Sequence, residues 1–311
     1  MDLGVIVVSY NTRALTCDCL TAAYASIEAA ALDAHIWVVD NASSDGSADE
    51  VRRRFPQATL IASDANLGFA GGNNAALQAM AALDQPPRHV LLLNSDTVTH
   101  PDALGRMVSF LDASPRVGVA GAQLLYGDGS FQHGAFRFPT LWMALFDFWP
   151  PRNRLADSWL NGRYPPSRYA AGDPFPIDHP LGAALMMRWE TYLDVGPLDE
   201  GYFMYCEEID WCLRAKRAGW GIYCVPRARV VHLAGQSARQ FREAMTLALW
   251  RSRYRLYEKH YSRAYRWAMR RIVRAGMAAE ARRTRRALCR GEQSADEAER
   301  RLATYRAVKA M

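Results

Sequence analysis

Four short apolar runs, spaced by segments long enough for helices, constrain the chain most. They are Val5–Val8, Ile36–Val39, Thr59–Ile61 and His89–Leu93. The stretch 13–31 between the first two is rich in Ala and Leu, and helices are also expected from near Ser47 and over Gly72–Leu83. Continuous rather than alternating apolar strands, separated by helices, predict a parallel sheet covered on both faces. The fold class is therefore α/β. A further helix is expected after Pro101, a strand at Val117–Gly121, and an irregular excursion over 138–180, rich in Pro, Trp and Arg. Regular structure resumes at Leu181–Trp189, followed by a helix over Glu207–Ala218 ended by Gly219, strands at Gly221–Val225 and Val230–Leu233, and helix from Arg239 to the end.

In open α/β sheets, ligands lie beyond the carboxyl ends of the strands, and four such ends carry polar residues. Ser9, Tyr10, Asn11 and Thr12 follow the first strand. Asp40 and Asn41 close the second, where Asp40 can accept a hydrogen bond from the N3–H of uracil or thymine, or serve a local structural role. Asp45 and Ser47 are capping candidates for the next helix, with Ser47 preferred. The segment Asn66–Asn74 includes Gly68, Gly71, Gly72 and Asn73 and opens a helix, whose free N–H groups favour an anion; it matches neither the Walker loop nor the G-x-G-x-x-G fingerprint. The fourth end, Asn94, Ser95 and Asp96, follows a buried strand, and Asp96 is suited to hold Mg²⁺ or Mn²⁺ together with a diphosphate.

Two acids further along, Glu207 and Glu208, follow a largely apolar run at a helix start. The helix dipole alone favours acids there, yet burial and mutual repulsion also raise a carboxyl pKa into the range of a general base. Lone histidines such as His232, at the end of Val230–Val231, are commonly structural; it gains weight because Asp96 needs a second metal ligand.

Composition narrows the classes. Residues 251–311 hold 18 Lys and Arg against 6 Asp and Glu, a surplus of +12, whereas the first 250 residues hold 20 against 26, or −6. An acidic body with a basic tail suggests an anionic partner for the tail. No apolar run reaches membrane-spanning length and no signal peptide is apparent, so the expected location is cytoplasmic, peripheral on the inner face of the cell membrane if the tail binds there. Six cysteines without C-x-x-C spacing read as reduced thiols.

Together these stretches resemble glycosyltransferase family 2, and within it the rhamnosyltransferase-like bacterial members. The matching segments are Val5–Thr12, Val38–Ser47, Asn66–Asn74, Leu91–Thr97, Phe131–Thr140, Gly182–Arg188, Gly196–Arg214 and Val230–Ser237. The resemblance implies a GT-A nucleotide-sugar-binding fold, with a mostly parallel central sheet over residues 1–238 (donor half about 1–120, acceptor half 121–238) and a helical, basic extension over 239–311. It implies an inverting, metal-dependent sugar transfer onto a glycan or lipid-linked glycan in cell-surface polysaccharide synthesis.

By resemblance Asp40 contacts the nucleobase, with Ser9, Tyr10, Asn11, Asn41, Asn66, Gly68, Asn73, Asn94, Ser95 and Asp96 around the donor. Asp96 and His232 hold the metal, Glu208 or its neighbour Glu207 is the base, and Gly182, Ala183 and Asp210 lie on the acceptor side. Two positions depart from the family pattern: Asn94-Ser95-Asp96 keeps only the last acid of a D-x-D-type motif, and Glu208 stands where Asp is usual. The expected donor is dTDP-rhamnose, with a UDP-hexose as alternative. Three other classes compete. A sugar nucleotidyltransferase lacks its Gly-rich basic loop here; a nucleic-acid binder is disfavoured by the acidic body, so no nucleic-acid partner is expected; a catalytically lapsed scaffold is the third.

Overall fold

The computed structural model describes residues 1–151, 155–233 and 242–311. The first apolar run forms β1 (Leu3–Ser9), and α1 (Arg13–Ala29) returns the chain so that β2 (Ala34–Asp40) lies parallel beside it. α2 (Ser47–Arg54), β3 (Thr59–Ala62), α3 (Gly68–Ala81) and β4 (His89–Asn94) repeat the step, with β3 outside β2 and β4 on the far side of β1. Residues of both parities along these strands are buried: Val5, Ile6 and Val7, like Leu91, Leu92 and Leu93, are shut off from solvent. Helices on both faces are the reason, and they explain why the apolar runs do not alternate.

β5 (Thr97–Thr99), α4 (Ala103–Asp112), β6 (Val117–Leu125), β7 (Phe131–Gln132) and β8 (Ala135–Phe136) follow. Next come α5 (Leu141–Phe148), α6 (Pro166–Ala170), β9 (Phe175–Pro176), β10 (His179–Pro180), β11 (Ala184–Arg188), α7 (Trp189–Val195), α8 (Glu207–Arg217) and β12 (Gly221–His232). The main sheet runs β3-β2-β1-β4-β11-β6-β12-β5, with β7 beside β6 and β9 beside β12. β11 is antiparallel to both neighbours, and β12 is parallel to β6 but antiparallel to β5. The last pairing brings His232 opposite Thr97, next to the end of β4.

Three expectations shift. α3 starts at Gly68, not Gly72. The two strands expected at Gly221–Val225 and Val230–Leu233 are one strand with a register slip between Val225 and Arg229, where Pro226 has no N–H to give the ladder. The excursion over 138–180 holds short regular pieces, including α5, whose first turn is capped by the Thr140 hydroxyl accepting the Met143 N–H.

The tail forms α9 (Arg242–His260), α10 (Arg263–Cys289) and α11 (Ala295–Ala310); the expected boundary at 238/239 and the end of the Val230–Ser237 segment lie outside the described residues. Spacing by three and four predicts one helix face for Tyr254, Tyr257, Tyr261, Tyr265, Ala268 and Ile272, but the helix breaks between His260 and Arg263, and the four tyrosines pack inward from α9, the turn and α10 with Trp250, Phe148 and Tyr202 as a third core cluster. The sequence suggests no further body surface to cover the helix beyond Tyr265. Instead Met269, Val273 and Met277 continue the burial, and α10 lies so close to α5 that a Cβ on Gly276 would come within 2.2 Å of the Phe148 ring. Full burial of one such side chain contributes about 1.5–3 kcal/mol, so α10 is held firmly to the body.

Candidate active site

Ser9 pairs with Asp40, and Val8 with Asn94, so β1, β2 and β4 end level with one another. One cleft opens above these ends, and its walls include Tyr10, Asn41, Asn66, Gly68, Asn94, Ser95, Asp96, Gly182, Ala183, Glu207, Glu208 and His232. Of the polar residues expected around a donor, these are the ones the fold brings together.

Others support the cleft from behind. The Ser9 hydroxyl is buried 2.8 Å from that of Thr16, and Thr12 links the same cluster to Ser95. Asn11, at φ +51°, ties two loops: its Oδ1 accepts the Ser44 N–H at 2.8 Å and its own N–H donates to Ser43 Oγ. The Asn73 amide turns back to its own helix, donating to the Phe69 carbonyl at 2.8 Å. Ser9, Asn11 and Asn73, expected around the donor, stand behind the cleft lining and brace it in this geometry. At α2 the N-cap is Gly46, without a side-chain cap, while Asp45 one residue earlier accepts the Ser47 N–H at 3.0 Å; Ser47 is the first helical residue and not the cap.

Asp40 is buried; Oδ2 accepts the Ser43 N–H at 3.0 Å, while Oδ1 has no hydrogen-bond partner within the described residues. Asn41 donates to the Gly68 carbonyl at 3.0 Å, and the Gly68 N–H donates to Asn66 Oδ1. Gly68 has φ +70°, and a Cβ there would sit 2.1 Å from the Phe203 carbonyl oxygen, which also accepts the Phe69 N–H. The glycine loop is thereby joined to the segment leading into α8. Gly68→Ala is expected to cost about 1–3 kcal/mol, because it meets both the left-handed strain and the overlap; thermal melting checks it, with an unchanged Tm as the contrary result.

Asp96 and His232 face each other across the β4 and β12 ends, with His232 Nε2 3.5 Å from Asp96 Oδ1. The Leu233 N–H donates to the Asp96 carbonyl at 2.9 Å, which holds the two chain segments in register. Burial pushes the His232 pKa down, against the pull of the Asp96 charge, and so favours the neutral imidazole that a metal requires. Its Nδ1 is buried with no partner among the described residues. No cluster of three or more His, Cys, Asp and Glu suited to a metal occurs among the described residues. Two protein ligands with room beside them fit Mg²⁺ or Mn²⁺, which complete their shells with phosphate oxygens and water.

The opposite wall is the start of α8. Tyr205 and Cys206 both take φ +71°, a conformation uncommon outside glycine, and they turn the chain abruptly into Glu207 and Glu208. Strain of this kind gathers at functional sites. Both carboxyls are less than a tenth exposed, and each keeps a buried Oε2 without a partner. Burial pushes Glu208 up to about 7; burial, then the neighbouring Glu208 charge, raises Glu207 well above the ordinary range. Gly182 leaves room in front of them, since a Cβ there would lie 3.8 Å from Glu208 Cβ.

Asp210, expected on the acceptor side, is not among the residues lining the cleft. It is fully buried and paired with Arg214, Lys259 and His260 at 2.9, 2.8 and 2.7 Å, fastening α8 to α9. Sequence reasoning missed the apolar lining: Val8, Phe69, Leu181, Met204 and Tyr205. Only Phe69, inside the glycine loop, and Tyr205, beside the glutamates, carried a signal by position.

Comparison with known proteins agrees with this geometry. Residues 4–165 match the family model described as glycosyl transferase family 2, and residues 89–289 match that of glycosyl transferase family group 2. The chain is 29% identical over 254 residues to the N-acetylglucosaminyl-diphospho-decaprenol L-rhamnosyltransferase of Mycobacterium tuberculosis, covering 78% of this chain and 80% of that protein. It is 25% identical over 211 residues to the rhamnosyltransferase WbbL of Escherichia coli K12, covering 67% and 69%. The mannosyltransferase PcManGT from Pyrobaculum calidifontis, solved with GDP-Man and Mn²⁺, superposes with a TM-score of 0.57 at 18% identity over 99% of this chain and 83% of that one. That likeness shows the GT-A fold.

Proposed function

The chain belongs to glycosyl transferase family 2, and on that premise we propose that it moves L-rhamnose from dTDP-rhamnose onto a lipid-linked glycan with inversion at the anomeric carbon. It is a glycosyltransferase acting in glycan synthesis; donor, acceptor, metal and stereochemistry are the proposal. The observation that carries it is the single cleft with buried Glu207 and Glu208 on one wall and Asp96 with His232 on the other.

The unpartnered Oδ1 of Asp40 accepts the N3–H of the base, a contact uracil and thymine offer equally. Asn66 and the glycine loop border the diphosphate. Asp96 and His232 would hold a divalent cation, which would supply positive charge against that growing on the departing diphosphate. Glu208, ionised once pH exceeds its raised pKa, takes the proton of the acceptor hydroxyl. The hydroxyl oxygen then attacks the anomeric carbon as the bond to the diphosphate oxygen breaks, through an oxocarbenium-like state. The apolar side chains of Phe69, Leu181 and Met204 limit water beside the carboxyls, which keeps the base from being levelled by solvent.

The two rhamnosyltransferase relatives favour the dTDP-rhamnose donor over UDP-hexose, and the mycobacterial one, whose name specifies a diphospho-decaprenol acceptor, favours a lipid-linked acceptor. A donor screen reporting released nucleoside diphosphate tests this. With Mn²⁺ present, dTDP-rhamnose is expected to turn over fastest, and faster release from a UDP-hexose would move the assignment to that donor.

A further inference from the structure

α10 carries nine arginines and one acid, Glu280, which is paired with Arg283. Its inner faces are spent on α5, α9 and α11. Trp267, Arg271, Arg274, Ala278, Arg282 and Arg285 recur at intervals of three and four, so they form a single stripe. All but Ala278 are exposed, Trp267 at 63%. The fold provides no acidic partner for these four arginines among the described residues. The Arg271 guanidinium instead lies 5.3 Å from the Trp267 ring centre. At 1.5 Å per residue the stripe is about 27 Å long.

We infer that this outer face of α10 docks the enzyme on an anionic lipid surface. The inference rests on the lipid-linked acceptor only for why that location is useful. A straight, uniformly basic line on a convex helix meets a plane along its whole length. Arginine stems lie along the interface with their heads at lipid phosphates, and a tryptophan settles at headgroup level. α5, packed beside α10, carries exposed Trp142, and exposed Trp149 follows its last residue. A nucleic acid would call for stacked aromatics or a groove to follow, and the stripe has one tryptophan, at its end.

Deletion of the tail is not a usable test, because Met277 and Val308 belong to the core cluster. The test is flotation of the full chain with vesicles of phosphatidylcholine alone or mixed with phosphatidylglycerol. The wild type is expected to float only with the anionic vesicles and to be released by salt. Arg271→Glu/Arg274→Glu/Arg282→Glu should weaken partitioning by about tenfold or more. The control Arg168→Glu/Arg227→Glu/Arg229→Glu has the same net charge and should change it by less than about twofold. Equal flotation with both vesicle types, none with either, or equal loss in the two triple variants would overturn the inference. So would stripe-dependent binding of single-stranded RNA with stripe-independent flotation. The vesicles contain no glycan acceptor, so these results are independent of the donor screen.

Discussion

Asp96→Ala is expected to lower sugar transfer by at least about 10³-fold while leaving the melting temperature close to that of the wild type. Among the described residues Asp96 is the only acid lining its wall of the cleft, and its backbone carbonyl, which the substitution keeps, makes the structural bond to the Leu233 N–H. The side chain has no hydrogen bond within the described residues beyond its ion pair with His232, so little stability depends on it. On the proposed metal role, losing this carboxylate removes several kcal/mol of electrostatic stabilisation from the transition state, which sets the size of the effect. Initial rates with and without added Mn²⁺ check it. Full activity of chelator-treated wild type would remove the metal role from both Asp96 and His232.

Glu208→Gln should cost about 10²-fold or more in kcat, with little change in donor affinity, because it keeps the shape and removes the proton acceptor. The wild-type rate should rise with pH through about 7, where Glu208 ionises. Stability should move oppositely. A carboxyl whose folded pKa lies above its unfolded value binds more protons when folded, so stability falls as pH rises from the ordinary 4.5 to about 7. Replacing it with Gln removes that penalty. The variant should therefore melt higher than the wild type at pH 8 and about equally at pH 4. A crippled Glu207→Gln beside an active Glu208→Gln would shift the base to the neighbouring residue.

The strands and their polar ends were readable because a parallel sheet buried on both faces leaves an unbroken apolar run, and the residue after the run must lie at the sheet's edge. Asp96 and Asp40 were legible on that basis. His232 stood out in the sequence only as a ligand Asp96 would need; its place beside Asp96 comes from the pairing of β12 with β5, a long-range contact with no local signature. Asp210 lies off the cleft lining for a reason helix geometry supplies: two residues beyond Glu208 is about 200° around a helix, which turns it toward α9. Ser9, Asn11 and Asn73 sit in the same motifs as the cleft residues, but their partners are neighbouring loops and turns. The tyrosine face of α9 and α10 was visible as a period. What covered it was not, because α5 lies within the stretch that had no clear periodicity.

The measurement that bears most directly on the account is the anomeric configuration of the first-formed product, read from its one-bond C1–H1 coupling by NMR. A single displacement driven by a carboxylate base inverts the centre, so dTDP-β-L-rhamnose should yield an α-linked rhamnoside. A β-linked first product would contradict direct displacement and with it the role assigned to Glu208.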